Sequence, residues 1–497
     1  MYSKRFAQPP VGSLRWEPPA PFTSDSLFDA TTLPPACVQQ FAFTNQTLDQ
    51  TLFNDPPPPE DEDCLFLNVW APAPLTGPLK PVVIWIFGGG FSFGTGSLPI
   101  YDGMSFAKNQ DIVVVTSNYR TNVFGFPQSP DIPAQHNNLG FLDQELVFTW
   151  VQQNIAQFGG DKDQVTLMGQ SAGSDAVALA ILRHKSLADA PFRAGIMLSD
   201  VPLTTSTALN FSSFNAFALA VGCAQPLGSA ARLQCLRAVP AAAIRSYTNG
   251  PTGGSSGFVV DNVTVFGNAL QRIRDHQLAP VPILLGSMQE DGTFFSYGLT
   301  DLQAFLDSNR VAASLILSAP VVRLLYPGLS DPEIIAAVVR DIGFRCFGRT
   351  HMCGAGFPTS SGTRAVFPDT QVFPGAGAWH SSEVRILFGT YNTSTATAAE
   401  AILSASLQTA FANFVKNPAA SPAQDWAAYD PGLLGIPVEP TLAAIAYNGN
   451  VDPDNFVQAE QQSNFVSHPG LFGAEEQLTR STVWKDGPCA VWDLALD

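Results

Sequence analysis

The sequence predicts an α/β fold: a large, mostly parallel sheet with helices on both faces. Three observations carry this expectation. Short apolar runs alternate with helix-like segments along the chain, the apolar runs are continuous, and one of them passes through a tight small-residue turn directly into a helix. Continuous apolar strands are buried on both faces, as a parallel sheet requires. Strand–helix alternation supplies the crossovers that join parallel neighbours.

The elements follow in order. Residues 81–87, Pro-Val-Val-Ile-Trp-Ile-Phe, form a buried strand that ends in Gly88-Gly89-Gly90. A second strand covers 111–116. Residues 143–157 read as an amphipathic helix stopped by Gly159-Gly160. The strand 164–168 enters Gly169-Gln170-Ser171-Ala172-Gly173, and a helix runs from Ala172 to about Leu182. Strands at 194–199 and 281–286 and a helix at 401–415 follow. No repeat or linker divides the chain, so residues 1–497 are expected to form a single domain. In sheets of this kind the active site lies beyond the carboxyl ends of the strands.

Composition narrows the partners. The net charge of −17, with only 13% charged residues, argues against nucleic acid and anionic membrane surfaces. No apolar stretch approaches the ~20 residues of a spanning helix, so integral membrane association is not expected. Cysteines 37 and 64 bracket a loop containing four consecutive prolines, and Cys223 and Cys235 bracket a short segment. Sequons at Asn45, Asn210, Asn262 and Asn392, together with these loop-bracketing cysteines, predict a secreted glycoprotein. The first six residues, Met-Tyr-Ser-Lys-Arg-Phe, carry no apolar signal segment.

The turn at Ser171 is the most informative feature. A strand, a strained turn bearing an exposed serine and a helix together make a nucleophile elbow. Small neighbours suit so sharp a turn, and the helix N-terminus offers N–H groups and a positive dipole end to a developing oxyanion. The same spacing recurs at Gly253-Gly254-Ser255-Ser256-Gly257, but no strand precedes it and no helix follows, so that copy reads as a loop.

Several further stretches make the chain resemble the type-B carboxylesterase/lipase family, the cholinesterase-like branch of the α/β-hydrolases, including its secreted fungal members. They are Phe6-Ala7-Gln8-Pro9-Pro10-Val11-Gly12, Glu62-Asp63-Cys64-Leu65-Phe66-Leu67-Asn68-Val69, Gly88-Gly89-Gly90-Phe91, Asn118-Tyr119-Arg120 and Phe158-Gly159-Gly160-Asp161. The resemblance implies a serine hydrolase of carboxylic esters, with a small-molecule ester as partner and neither a metal nor an organic cofactor. Ser171 is the implied nucleophile, with backbone N–H groups of Gly89, Gly90 and Ala172 as oxyanion donors. His380, in Gly375-Ala376-Gly377-Ala378-Trp379-His380-Ser381-Ser382-Glu383, resembles the catalytic histidine loop. The acid follows the strand 281–286. The family usually reads Asp-Glu-Gly there, with Glu as the acid, whereas this chain reads Glu290-Asp291-Gly292. The matching position is Asp291, with Glu290 as the alternative.

The resemblance also implies disulfides Cys37–Cys64, Cys223–Cys235 and Cys346–Cys489, leaving Cys353 free or competing for Cys346. Arg15 and Glu62 match a structural ion pair. Cys346, His351 and Cys353 lack a fourth ligand for a metal site.

Two departures stand out. The family's signal and first strands, which normally precede the Gln-Pro-Pro-Val-Gly stretch, are not expected here. Residues 359–365, Thr-Ser-Ser-Gly-Thr-Arg-Ala, read as loop where the family has a core strand. The loop 37–64 contains no Trp, which argues against choline esters held by cation–π contact. Phe41, Phe43 and Phe53 in that loop either line an apolar acyl or alcohol site or pack beneath it. The expected substrate is a small to medium apolar ester. The alternatives are a long-chain acylglycerol lipase and, in another class, a catalytically silent binding or adhesion member of the fold.

Overall fold

A computed structural model describes residues 1–23, 32–42, 46–74, 77–200, 211–254, 257–288, 290–308, 318–345, 360–365, 378–396, 398–423, 441–445, 466–469 and 475–480. The chain divides into two units, one comprising Met1–Gly195 and Leu203–Ala279, the other Ile196–Pro202 and Pro280–Asp497.

In the first unit, β1 (Tyr2–Arg5) pairs antiparallel with β2 (Phe66–Trp70), which pairs antiparallel with β4 (Val113–Ser117). Strand β3 (Lys80–Ile86) lies parallel to both β4 and β5 (Gly160–Gln170). Residues 82–86 of β3 are buried throughout, as their unbroken apolar sequence requires. The register sets Ile86 opposite Gly169, so both strands end at the same level. That is what brings the glycine loop after β3 beside the turn after β5.

The helix Leu139–Asn154 begins four residues before the expected start, extends as a 3-10 turn over Ile155–Phe158, and stops at Gly159 in the left-handed region. The helix Ala172–Arg183 is buried over nearly its whole length and packs on β5 and β3. Strand β6 is Ala194–Leu198.

In the second unit, β7 (Ile283–Met288) is parallel to β8 (Ser360–Ala365), and β8 to β9 (Thr441–Ile445). β10 (Val466–Pro469) and β11 (Glu475–Arg480) continue antiparallel from β9 through β11. The strand β8 corrects the loop expected at 359–365. Its polar, glycine-containing sequence gives no strand signal, yet it is hydrogen-bonded to neighbours on both sides, and that ladder is made by backbone groups. The helices Leu302–Ser308, Ala319–Leu325 and Asp331–Arg340 form a helical cluster held by its own core of Leu302, Phe305, Leu306, Val322, Ile334 and Val338. The helix Ala398–Lys416 covers the expected 401–415.

The first unit also buries paired charges. The Arg120 guanidinium donates to both carboxylate oxygens of Asp143, at 2.9 and 2.7 Å, and the Arg120 N–H donates to the same group at 2.9 Å. Their side chains are 4% and 0% exposed. Arg15 and Glu62 form the expected two-pronged pair, with Nε to Oε1 at 2.7 Å. Breaking a pair this deep leaves a buried charge without a counter-charge. Asp143→Ala is therefore expected to lower unfolding free energy by about 3–5 kcal/mol, as measured by urea denaturation. A loss under about 1 kcal/mol, the range of exposed pairs, would contradict this account.

Candidate active site

The first unit carries the serine. Ser171 has φ 56° and ψ −129°, a region that costs a non-glycine residue about 1–3 kcal/mol. The surroundings hold it there by close approach. A Cβ at Gly173 would lie 2.0 Å from the Ile86 carbonyl oxygen, so only glycine lets the helix start this near the end of β3. A Cβ at Gly88 would lie 2.9 Å from the Ser171 Cβ, which places the glycine loop against the serine. Ser171 O accepts the N–H groups of Ser174 and Asp175 as the helix begins. The N–H groups ahead of them in the first turn have no intrahelical acceptor, and Ala172 is among these.

The glycine loop is held from behind. Gly89 has φ 104° and its carbonyl accepts the Ser92 and Phe93 N–H groups, closing a tight turn. Tyr119 donates its hydroxyl to the Phe87 carbonyl at 2.9 Å, and its ring stacks on Phe87 with centroids 4.2 Å apart. The side chain of Gln39, fully buried, accepts the Gly94 N–H at 2.8 Å, and Gln40 N–H donates to the Ser92 carbonyl at 2.9 Å. Asn122 also donates to the Ser92 carbonyl, at 3.1 Å. Phe41 is fully buried and stacks on Phe93 with centroids 5.0 Å apart, and Phe53 packs on the same ring. Phe41 thus braces the loop; Phe43 lies outside the described residues. Gln39, Gln40, Phe41 and Phe53 come from the stretch that begins at Cys37, and Cys37 and Cys64 are joined, with Cα atoms 4.9 Å apart.

The second unit carries the residues expected as acid and base, Asp291 and His380. His380 Nδ1 and Asp291 Oδ1 are 2.9 Å apart, and the residues are 3% and 0% exposed. Asp291 also accepts Ser199 Oγ–H at 2.8 Å and the Met288 N–H at 2.7 Å. A buried carboxylate so supplied with donors has its hydrogen-bonding capacity met. The imidazole is flanked by Phe295 and Phe344, at centroid distances of 4.9 and 4.8 Å. Glu290, the alternative acid, points elsewhere: its Oε2 accepts the Ala378 N–H at 2.9 Å. Ser199 escaped sequence reasoning because a lone serine after a strand carries no pattern.

Cys223 and Cys235 are also joined, with Cα atoms 5.7 Å apart. Asn262 and Asn392 are exposed. Asn45, Asn210, Ser255, Cys346, His351, Cys353 and Cys489 lie outside the described residues. Among the described residues, no group of three or more His, Cys, Asp or Glu is disposed to hold a metal ion, and no helix is long and apolar enough to cross a membrane.

The sequence profile of the carboxylesterase family matches residues 3–329, and the chain belongs to that family. The matched span includes Ser171 and Asp291 and stops before His380. The chain is 34% identical over 302 residues to an acetylcholinesterase of Electrophorus electricus, covering 58% of this chain and 47% of that one. It is 40% identical over 186 residues to a cholinesterase of Mus musculus, covering 36% and 30%. To a fumonisin B1 esterase of Sphingopyxis macrogoltabida it is 31% identical over 396 residues, covering 77% and 70%. The chain thus spans half or less of these two cholinesterases and 70% of the third relative.

One buried acid near the base was not anticipated. Glu383 is 6% exposed, and neither carboxylate oxygen has a partner in another described residue. Burial, and then the charge of Asp291, push its carboxyl up to about 8. The folded chain therefore keeps a proton that the unfolded chain, titrating at 4.5, has released. The stability this proton contributes is complete below 4.5 and is lost as pH rises through about 8. Glu383→Gln has no such proton and should flatten that fall, a pH-dependent difference on the order of a few kcal/mol. Urea unfolding across this pH range tests it; parallel curves for wild type and variant would contradict the assignment.

Proposed function

We propose that the protein is a secreted serine carboxylesterase in which Ser171, His380 and Asp291 act as one triad on a small to medium apolar ester. The observation that carries this reading is the backbone at Ser171: a left-handed, strained nucleophile position, with a glycine loop packed against it. The Asp291–His380 pair supports it from the other unit, because a carboxylate bonded to Nδ1 leaves Nε2 as the base.

Ser171 Oγ attacks the ester carbonyl while His380 Nε2 takes its proton. The N–H groups of Gly89, Gly90 and Ala172 receive the oxyanion, each such donor being worth about 100- to 1000-fold in turnover. His380 returns the proton to the departing alcohol, leaving the acyl group on Ser171. Water, activated by the same imidazole, then releases the acid. Asp291 holds the tautomer and stabilises the imidazolium throughout, and Ser199 holds Asp291.

The family membership supports ester hydrolysis. Acetylcholine and fumonisin B1, the esters in the relatives' names, are not carried over. The stretch from Cys37 to Cys64 lacks the tryptophan that holds a quaternary ammonium group. The two joined cysteine pairs and the exposed sequon residues Asn262 and Asn392 support the secretory route.

Hydrolysis of p-nitrophenyl esters from acetate to palmitate tests this reading. Turnover should peak at short to medium chains and fall at least ~10⁴-fold in Ser171→Ala. A long-chain peak would make the protein a lipase, and folded protein matching its Ser171→Ala variant would point to a binding role.

A further inference from the structure

The pair Glu290-Asp291 splits its work. Asp291 bonds the imidazole, whereas Glu290 bonds the chain that carries it. Glu290 N–H donates to the Ala378 carbonyl at 3.0 Å, the Ala378 N–H donates back to Glu290 Oε2 at 2.9 Å, and residue 290 bridges parallel to Trp379. Ala378 is 1% exposed, so no water stands ready to replace the carboxylate on its N–H. His380 lies two residues beyond this clamp.

Glu290 is itself anchored. A Cβ at Gly292 would lie 1.9 Å from the Ala336 carbonyl oxygen and 2.8 Å from Arg340 N, so this segment rests directly on the helix Asp331–Arg340. Arg340 is 8% exposed and its charge acts on Glu290. Its Nε donates to Asp341 Oδ1 at 2.7 Å, and Tyr326 donates its hydroxyl to Asp341 Oδ2 at 2.8 Å. The helix Asp331–Arg340 therefore backs the segment that carries Glu290, and Glu290 in turn bonds the histidine loop.

We infer that Glu290 is a positioning residue for the proposed ester hydrolysis, holding His380 at its Asp291 partner through the backbone of Ala378. The inference rests on the triad reading above. What matters is the reach of the side-chain oxygen to one N–H. Gln retains that oxygen, Asp falls one methylene short, and Ala lacks it.

The test compares Glu290→Gln, Glu290→Asp, Glu290→Ala and Asp291→Asn in the full chain, by kcat and KM on a p-nitrophenyl ester. Glu290→Gln should stay within about threefold of wild type, while Glu290→Asp and Glu290→Ala lose roughly 10- to 100-fold in kcat with KM nearly unchanged, the scale of a small misplacement of a reacting group. Asp291→Asn should lose ~10⁴-fold. If Glu290→Ala does not fold, the Asp and Gln variants decide the matter. The low-field proton resonance of the His380–Asp291 hydrogen bond gives a readout independent of turnover: it persists in Glu290→Gln and is lost or broadened in Glu290→Asp. Full kcat and an unchanged resonance in Glu290→Asp would overturn the inference. So would a Glu290→Gln defect as deep as that of Asp291→Asn. Wild-type hydrolysis unaffected by Ser171→Ala would instead sink the triad reading, and the resonance would still judge Glu290.

Discussion

The close approach of the helix Ala172–Arg183 to the ends of β3 and β5 is the constraint on which the turn at Ser171 depends. A helix that starts this near the strands has no room for a side chain at Gly173 and none at Gly88. The turn between strand and helix is then so short that Ser171 must take a positive φ. Strain of this kind persists only where the surroundings over-determine it. Here they do so through the parallel register of β3 and β5, through Tyr119 on Phe87, and through the Gln39 and Gln40 contacts behind the glycine loop. The turn is thus the visible end of a larger support that includes the stretch from Cys37 and Tyr119.

The surroundings of Asp291 and His380 are organised by polar satisfaction. Asp291 gathers the imidazole, a serine hydroxyl and a backbone N–H around one fully buried carboxylate. Glu290 and Glu383 stand within a few residues of the acid or the base yet meet opposite fates. Glu290 keeps a donor in the Ala378 N–H and the nearby charge of Arg340, whereas Glu383 has burial and a like charge as its surroundings. Three carboxyl groups therefore share one neighbourhood with three different tasks or states, set by donors and by burial.

Much of this could be read in the sequence where a pattern expresses a physical demand. The apolar run before Gly88 demands burial on both faces, and it is the strand Lys80–Ile86. The glycine-flanked Ser171 demands a sharp turn, and the helix begins at Ala172 as expected. What could not be read has no such pattern. The strand Ser360–Ala365 is held by its neighbours' backbones and carries little strand propensity. The family's motif points to Asp291 rather than Glu290, but which of two adjacent carboxylates faces the imidazole is something composition alone is blind to. Ser199 and Gln39 act through contacts with residues far away in the chain, so no local motif marks them. The pairing of Cys346 with Cys489, and the state of Cys353, fall outside the described residues.

The measurement that bears most directly on the central claim is mapping of a fluorophosphonate adduct by peptide mass spectrometry, in the wild-type chain and in His380→Gln. The account predicts one adduct, on Ser171, formed at a rate that collapses when His380 is replaced. An adduct on another serine, or labelling of Ser171 that is indifferent to His380, would contradict it.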